Sequence, residues 1–171
     1  MNTNHRAMII GSIGAGKSTM TNALLGRKID AVKTQALVYK DWIVDTPGEY
    51  TENPFFYKSI MATALEVTHI LFIQDATNPK TIFPPGFANG FTKLPIGVVT
   101  KADANHAIVD RALRQLKQAI PKGAIVIASS LTGQGIKEIQ ELVQCATFEA
   151  MKAYCTQSAV NHVFFHESLY N

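Results

Sequence analysis

The chain has 171 residues, of which 47% are hydrophobic and 17% are charged, and its formal net charge is +3. This length and composition suit one globular domain with a substantial core, and they exclude a disordered chain. The charge is mildly basic without a concentrated patch, so a nucleic-acid-binding function is not expected.

Short apolar segments alternate along the chain with segments of helical periodicity. Strands are predicted at residues 7–10, 36–39, 42–44, 69–73, 96–99 and 125–128. Helices are predicted at 17–25, 55–67 and 107–120, followed by one long final helix from 136. Segment 75–95 contains several prolines and glycines, so no full-length helix is expected there. The alternation predicts an α/β fold with a mostly parallel sheet, to which the hairpin 36–44 adds one antiparallel edge strand.

The cysteines and the apolar segments bear on the cellular compartment. Cys145 and Cys155 both fall in or near the predicted final helix, so a disulfide framework is not expected and a reducing cytosol is favoured. The N-terminal segment lacks the apolar core of a signal peptide. No apolar run approaches the ~20 residues that a membrane span requires. We therefore expect a cytoplasmic protein without a membrane span.

Residues 11–18 (GSIGAGKS) fit the P-loop pattern G-x-x-x-x-G-K-[ST], between a predicted strand and a predicted helix. The glycines let the backbone wrap around phosphate oxygens, and the helix N-terminus supplies positive dipole ends. Lys17 is expected to contact the β- and γ-phosphates, and Ser18 to bind Mg²⁺. The predicted phosphate-binding residues are Gly11, Ser12, Ile13, Gly14, Ala15, Gly16, Lys17, Ser18 and Thr19.

Asp45 ends the strand that we expect beside the P-loop strand. Its carboxylate can hold Mg²⁺ opposite Ser18, either directly or through water. Gly48 then places a backbone N–H where a γ-phosphate could be sensed. An Asx turn at the strand end explains Asp45 alone, but the P-loop makes this the weaker interpretation.

Residues 100–103 (TKAD) close another predicted parallel strand and therefore lie on the same edge. The carboxylate of Asp103 can accept hydrogen bonds from the N1–H and the 2-amino group of guanine, a donor pair that adenine lacks. The stem of Lys101 can lie along the base plane. Ser129 and Ser130 follow the last predicted strand, where their backbone N–H groups could meet the guanine O6. Each element alone is better explained as a polar strand end, but four in this order indicate GTP or GDP.

Together these residues resemble the small Ras-like P-loop GTPases over residues 6–153, and more closely the EutP/PduV family associated with ethanolamine and propanediol utilisation. The resemblance rests on GSIGAGKS at 11–18, KTQA at 33–36 and DTPGEY at 45–50. It implies a Ras-like three-layer α/β/α P-loop NTPase fold with a six-stranded sheet, and binding of GTP or GDP with Mg²⁺. It also implies association with shell or enzyme proteins of a bacterial microcompartment.

Several site residues are assigned by this resemblance. Thr34 matches the switch I threonine, which reaches Mg²⁺ and the γ-phosphate, although a solvated loop threonine is an equal alternative from the residues alone. Asp45 and Gly48 match the switch II motif. Thr100, Lys101 and Asp103 match the guanine-reading N/T-K-x-D motif, in which Thr100 replaces the commoner Asn and could keep one of its hydrogen bonds.

Catalysis is expected to be slow. Glu49 occupies the position at which Ras-like enzymes often have a water-orienting Gln, and ionised Glu only accepts hydrogen bonds. With Lys17, Thr34 and Glu49 as catalytic residues, we expect single-turnover GTP cleavage slower than about 1 s⁻¹ without a partner. Gly14 replaces the P-loop Asn that holds K⁺ in some relatives. Positive charge in cis could come from Arg27, Lys28 or Lys33, which are better explained as solvated loop charges.

Two other functions remain open. The first is a phosphotransferase that moves the γ-phosphate to a small acid or a nucleoside, with segment 75–95 as a lid that lacks an arginine. The second is a nucleotide-gated assembly module with negligible catalysis. We divide the chain into a GTPase domain at 1–153 and an apolar tail at 154–171 that packs on the domain or on a partner. In this tail, His162 and His166 have a metal-binding spacing for a helix, but no third ligand is evident.

Overall fold

The computed structural model describes residues 4–28 and 30–169. A seven-stranded sheet with the order β2-β3-β1-β4-β5-β6-β7 forms its centre. The strands are β1 Ala7–Gly11, β2 Val38–Lys40, β3 Ile43–Asp45, β4 His69–Asp75, β5 Leu94–Thr100, β6 Lys122–Ile127 and β7 Val163–Glu167. The helices are α1 Lys17–Leu24, α2 Gly48–Glu52, α3 Tyr57–Ala64, α4 Val109–Ala119, α5 Ile136–Val143 and α6 Phe148–Gln157.

The five central strands run parallel, and the two edge strands β2 and β7 pair antiparallel with their neighbours. The central strands are continuous apolar runs because both of their faces are covered. One face packs against α1, α5 and α6, and the other packs against α3 and α4. The carboxyl ends of the parallel strands share one edge of the sheet, which carries Gly11, Asp45 and Thr100.

The α/β fold is confirmed, but the sheet has seven strands instead of the predicted six. The additional strand is β7, which comes from the apolar tail and pairs with β6. Successive side chains of a strand point to opposite faces, so Phe165 packs on one core cluster and Phe164 on the other. The sheet therefore has two antiparallel edge strands.

The prediction of one long final helix is wrong, because the segment forms the two helices α5 and α6. Thr147 interrupts it with an extended backbone (φ −142°, ψ 162°), and its side chain caps α6 by accepting a hydrogen bond from the N–H of Ala150 at 3.1 Å. Both cysteines are free thiols. His166 lies in a strand, and residues 4–28 and 30–169 contain no group of three or more His, Cys, Asp or Glu side chains that could hold a metal ion.

Segment 75–95 contains no full-length helix, as predicted, and its single helical element is a 3₁₀ turn at Phe87–Gly90. Its aromatic residues pack against Phe72 of β4, with ring centroids of Phe83, Phe87 and Phe91 at 5.3, 6.4 and 6.3 Å. The segment is thus anchored by aromatic packing on the sheet. None of the helices in the described part of the chain has the length and apolar character to cross a membrane.

Candidate nucleotide-binding site

The P-loop connects the end of β1 to the start of α1. Gly14 and Gly16 have φ values of 77° and 95°, in the left-handed region that side chains other than glycine rarely adopt. A Cβ atom on Gly11 would lie 2.9 Å from the carbonyl oxygen of Ile73 on β4, so the close approach of these two strands requires a glycine. The loop glycines are therefore explained by backbone geometry.

Lys17 lies inside this loop with 7% of its surface exposed, and its Nζ donates to the carbonyl of Ser12 at 2.9 Å. Burial lowers the pKa of Lys17, while the nearby carboxylates of Asp45 and Glu52 partly offset this effect. The ammonium group is thus held close to the P-loop backbone, where phosphate oxygens are expected.

Ser18, Thr34 and Asp45 form a compact group of oxygen atoms beside Lys17. The hydroxyls of Ser18 and Thr34 lie 2.9 and 2.8 Å from Asp45 Oδ2, and 3.0 Å from each other. The group thus has three short oxygen–oxygen contacts but only two hydroxyl protons to form hydrogen bonds in them. Asp45 is fully buried, and its Oδ1 has no hydrogen-bond partner among the described residues.

This group fits a hard divalent cation. A buried carboxylate oxygen without a donor requires an explanation such as a missing ion, and Mg²⁺ prefers hydroxyl and carboxylate oxygens together with phosphate oxygens. The structure therefore brings together the three residues that the sequence predicted as Mg²⁺ ligands. Ser18 belongs to α1, Asp45 to β3, and Thr34 to residues 30–37 before β2, which we call the connector.

The segment after Asp45 packs closely on the P-loop. A Cβ atom on Gly48 would lie only 2.5 Å from the backbone nitrogen of Ile13. The hydroxyl of Thr46 donates to the carbonyl of Ile9 at 2.6 Å, and the N–H of Gly11 donates to Thr51 Oγ1 at 3.0 Å. These two threonine contacts were not predicted from the sequence, although both residues closely follow Asp45.

A cavity of about 800 Å³ opens at this position. Its lining comes from the P-loop and α1, from the connector, from the segment after β3, and from the end of β5: Ile13, Gly14, Gly16, Lys17, Ser18, Thr19, Ala31, Val32, Lys33, Thr34, Gln35, Thr46, Pro47, Gly48, Glu49 and Lys101. Lys33 thus faces the cavity, whereas Arg27 forms an ion pair with Asp41 at 3.1 Å. Among the described lining residues none belongs to segment 75–95, whose aromatic residues pack on Phe72 instead.

Two residues of the TKAD motif brace the P-loop. Thr100 Oγ1 donates to the carbonyl of Ala15 at 2.8 Å, and Lys101 Nζ donates to the carbonyl of Gly14 at 2.8 Å. Thr100 therefore makes a bond of the kind that we expected threonine to retain in place of asparagine. Asp103 is exposed two residues beyond Lys101 and is not among the residues that line the cavity.

Ser129 differs from the prediction. Its N–H donates to the carbonyl of Gln134 at 3.0 Å, and its hydroxyl accepts a hydrogen bond from the N–H of Thr132 at 3.1 Å. A guanine O6 could take the N–H of Ser129 only if the bond to Gln134 were broken. Ser130 is half-buried beside it. The sequence did not indicate this local turn.

Comparison with known proteins gives the following matches. The sequence profile of the PduV-EutP family, described as ethanolamine utilisation - propanediol utilisation, matches residues 4–145. The propanediol utilization protein PduV of Citrobacter freundii is 40% identical over 98 residues, which is 57% of this chain and 65% of that protein. The probable acetate kinase EutP of Escherichia coli (strain K12) is 38% identical over 106 residues, 61% of this chain and 67% of that protein. The matched part thus spans about two thirds of each relative.

A solved structure supports the fold independently. A point variant of Aquifex aeolicus Era bound to GDP·AlF4⁻ superposes with a TM-score of 0.56 at 23% identity, covering 81% of this chain and 56% of that chain. The chain therefore has the α/β fold of P-loop GTPases.

Proposed function

Since this chain belongs to the PduV-EutP family, we propose that it binds GTP and GDP with the phosphates and Mg²⁺ in the 800 Å³ cavity, and that it acts as a slow GTPase switch. The observation that carries the proposal is the convergence of Ser18, Thr34 and Asp45 within 3.0 Å of one another beside the buried Lys17. These groups come from the three segments that contact the triphosphate and its Mg²⁺ in P-loop GTPases.

Each residue has a defined part in this proposal. Lys17 would bind the β- and γ-phosphate oxygens. Ser18, Thr34 and Asp45 would hold Mg²⁺, whose charge would offset the negative charge of the phosphates. Gly48 donates its N–H to the γ-phosphate from a position in contact with Ile13. Loss of the γ-phosphate removes a ligand from Thr34 and Gly48 together, which is the basis of switching.

Hydrolysis is slow in this proposal because Glu49 follows Gly48 at the position where Ras-like enzymes often have a glutamine that orients water. Glu49 is exposed and lines the cavity, but its carboxylate can only accept hydrogen bonds. Lys33 is a cation in the same lining, and it could offset part of the negative charge. Single-turnover cleavage measured with stoichiometric GTP should therefore be slower than about 1 s⁻¹.

Calorimetry of GDP, GTP and ATP tests the nucleotide specificity. Wild type should bind both guanine nucleotides, and Asp103→Ala should lose at least ~10-fold of this affinity because the guanine donors then lack their acceptor. Asp110→Ala, which removes an exposed acid from the first turn of α4, is the matched control and should bind like wild type. Equal affinities for GTP and ATP in wild type would contradict the proposed specificity.

A phosphotransferase acting on a small carboxylic acid is the second candidate. It is favoured by the 38% identity to a protein named as a probable acetate kinase, and by Lys33, whose ammonium could bind an acceptor carboxylate in the cavity. Labelled GTP and ATP should be incubated with and without acetate, and acyl phosphate should be separated from inorganic phosphate. Acetate-dependent acyl phosphate that Lys33→Ala abolishes would favour the transferase, and inorganic phosphate alone would favour the GTPase.

The family description concerns ethanolamine and propanediol utilisation, so the proposed physiological role is that of an accessory factor in these processes. The proposed location is the cytoplasm, with shell or enzyme proteins of a microcompartment as partners. Pull-down with a non-hydrolysable GTP analogue and with GDP tests this role. Capture of the same proteins in both nucleotide states would argue against a switch.

A further inference from the structure

Asp75 lies at the carboxyl end of β4, on the same edge of the sheet as the P-loop, and it was not among the predicted site residues. Asp75 is 6% exposed, and its carboxylate uses both oxygens. Oδ1 accepts hydrogen bonds from the N–H and the hydroxyl of Thr77 at 2.8 and 2.6 Å, and Oδ2 accepts one from Lys101 Nζ at 2.7 Å. Asp75 thus forms a short ion pair with a residue of the TKAD motif.

Lys101 needs such support because its backbone is in an unusual conformation. Its φ is 57°, in the left-handed region that few residues other than glycine adopt, and such residues persist only where their surroundings hold them. The ammonium bridges Asp75 and the carbonyl of Gly14. Without Asp75, the uncharged carbonyl of Gly14 alone would have to hold the ammonium group in place.

The carboxylate of Asp75 is itself held in place. Asp75 pairs with Thr100 in the sheet, and the next N–H, that of Ala76, donates to the carbonyl of Thr100 at 3.0 Å. The carbonyl of Ala76 accepts from the N–H of Ile108 at 2.8 Å and from Arg111 at 3.3 Å. Burial raises the pKa of Asp75, but the hydrogen bonds from Lys101 and Thr77 outweigh this effect and keep the pKa below its usual value.

We propose that Asp75 is a positioning residue of the nucleotide site, which holds Lys101 against the P-loop and thereby slows dissociation of the bound guanine nucleotide. Three loops meet in this contact: the loop after β4, the TKAD motif after β5, and the P-loop after β1. The inference rests on the proposed function, because Lys101 is expected to lie along the guanine plane.

The test is a double-mutant cycle on the dissociation rate of fluorescently labelled GDP. Asp75→Asn keeps an acceptor for Thr77 but loses the ion pair, and it should speed dissociation about 10-fold, since hydrogen bonds between charged groups are the strong ones. In the Lys101→Met background, which keeps the aliphatic stem without the ammonium, Asp75→Asn should change the rate less than about 2-fold. A residue with a merely structural role would accelerate dissociation equally in both backgrounds.

A second variant and one control complete the test. Thr77→Val removes one donor to Asp75, and should accelerate dissociation by about 2- to 5-fold in wild type and not in Lys101→Met; it serves if Asp75→Asn does not fold. Asp110→Asn should leave the rate unchanged. Equal acceleration in both backgrounds, or none in either, would overturn the role of Asp75 while leaving guanine-nucleotide binding intact. A wild-type protein that binds no GDP would overturn both the proposed function and this inference.

Discussion

Replacing Thr100 with valine removes one hydroxyl from the candidate site while keeping the shape of the side chain. In the structure this hydroxyl donates to the carbonyl of Ala15 at 2.8 Å, and Thr100 is 3% exposed, so water does not readily replace the lost donor. Loss of a partner from a buried polar group costs about 1–3 kcal/mol. If this cost falls on the nucleotide-bound P-loop, GDP affinity falls by ~5- to 150-fold.

The assay is calorimetry of GDP binding to wild type, Thr100→Val and Thr100→Ser. The serine variant keeps the hydroxyl and loses only a methyl group, so it should bind GDP much more tightly than the valine variant. Thermal unfolding of the nucleotide-free proteins shows how much of the cost falls on the fold itself. If Thr100→Val binds GDP as tightly as wild type and has the same Tm, the bracing role of Thr100 is refuted.

The other predictions concern the phosphate end of the site and the pH dependence of stability. Gly48→Ala should weaken GTP binding at least ~10-fold and GDP binding less, because the added Cβ, 2.5 Å from Ile13 N, must move the start of α2 from the P-loop; calorimetry of both nucleotides measures this. Asp45→Asn should abolish the Mg²⁺ dependence of GTP affinity, measured with Mg²⁺ and with EDTA; a preserved dependence would exclude Asp45 as a ligand. Burial lowers the pKa of His69 from 6.5 to about 4. The unfolded chain therefore binds a proton below pH 6.5 that the folded protein does not bind until about pH 4, and the free energy of unfolding should fall by about 2 kcal/mol from pH 7.5 to 5. In urea unfolding, His69→Gln should lack this part of the pH dependence.

The phosphate end of the site could be predicted because its residues stand at fixed places in the sequence. The P-loop, Asp45 and Thr100 each follow a continuous apolar strand, and the carboxyl ends of parallel strands meet at one edge. The grouping of Ser18, Thr34 and Asp45 follows from this topology once the connector passes over the end of β3.

The wrong predictions concern a strand in the tail and a break in the final helix. Both depend on contacts that leave no periodic pattern in the sequence. The tail strand β7 becomes a strand only by pairing with β6, about 40 residues away, and its two phenylalanines point to opposite cores. The break between α5 and α6 falls inside an uninterrupted apolar periodicity, and Thr147 as an N-cap was its one local sign. Asp75 was missed because it belongs to no recognised motif. Like Asp45, it is the last residue of a parallel strand.

The P-loop and the connector are held by different kinds of contact. This difference indicates which of the two should change conformation with the bound nucleotide. The P-loop carbonyls of Gly14 and Ala15 are fixed by Lys101 and Thr100, which extend from the sheet. Thr34 instead lies in a connector whose residues 30–33 and 35–36 are exposed, and its hydroxyl contacts the side chains of Ser18 and Asp45, which are expected to bind Mg²⁺. Segments with few buried contacts open at low free energy. We therefore expect gain and loss of the γ-phosphate to rearrange the connector around Thr34 while the P-loop keeps its conformation, because only the connector depends on the ligand for its anchoring.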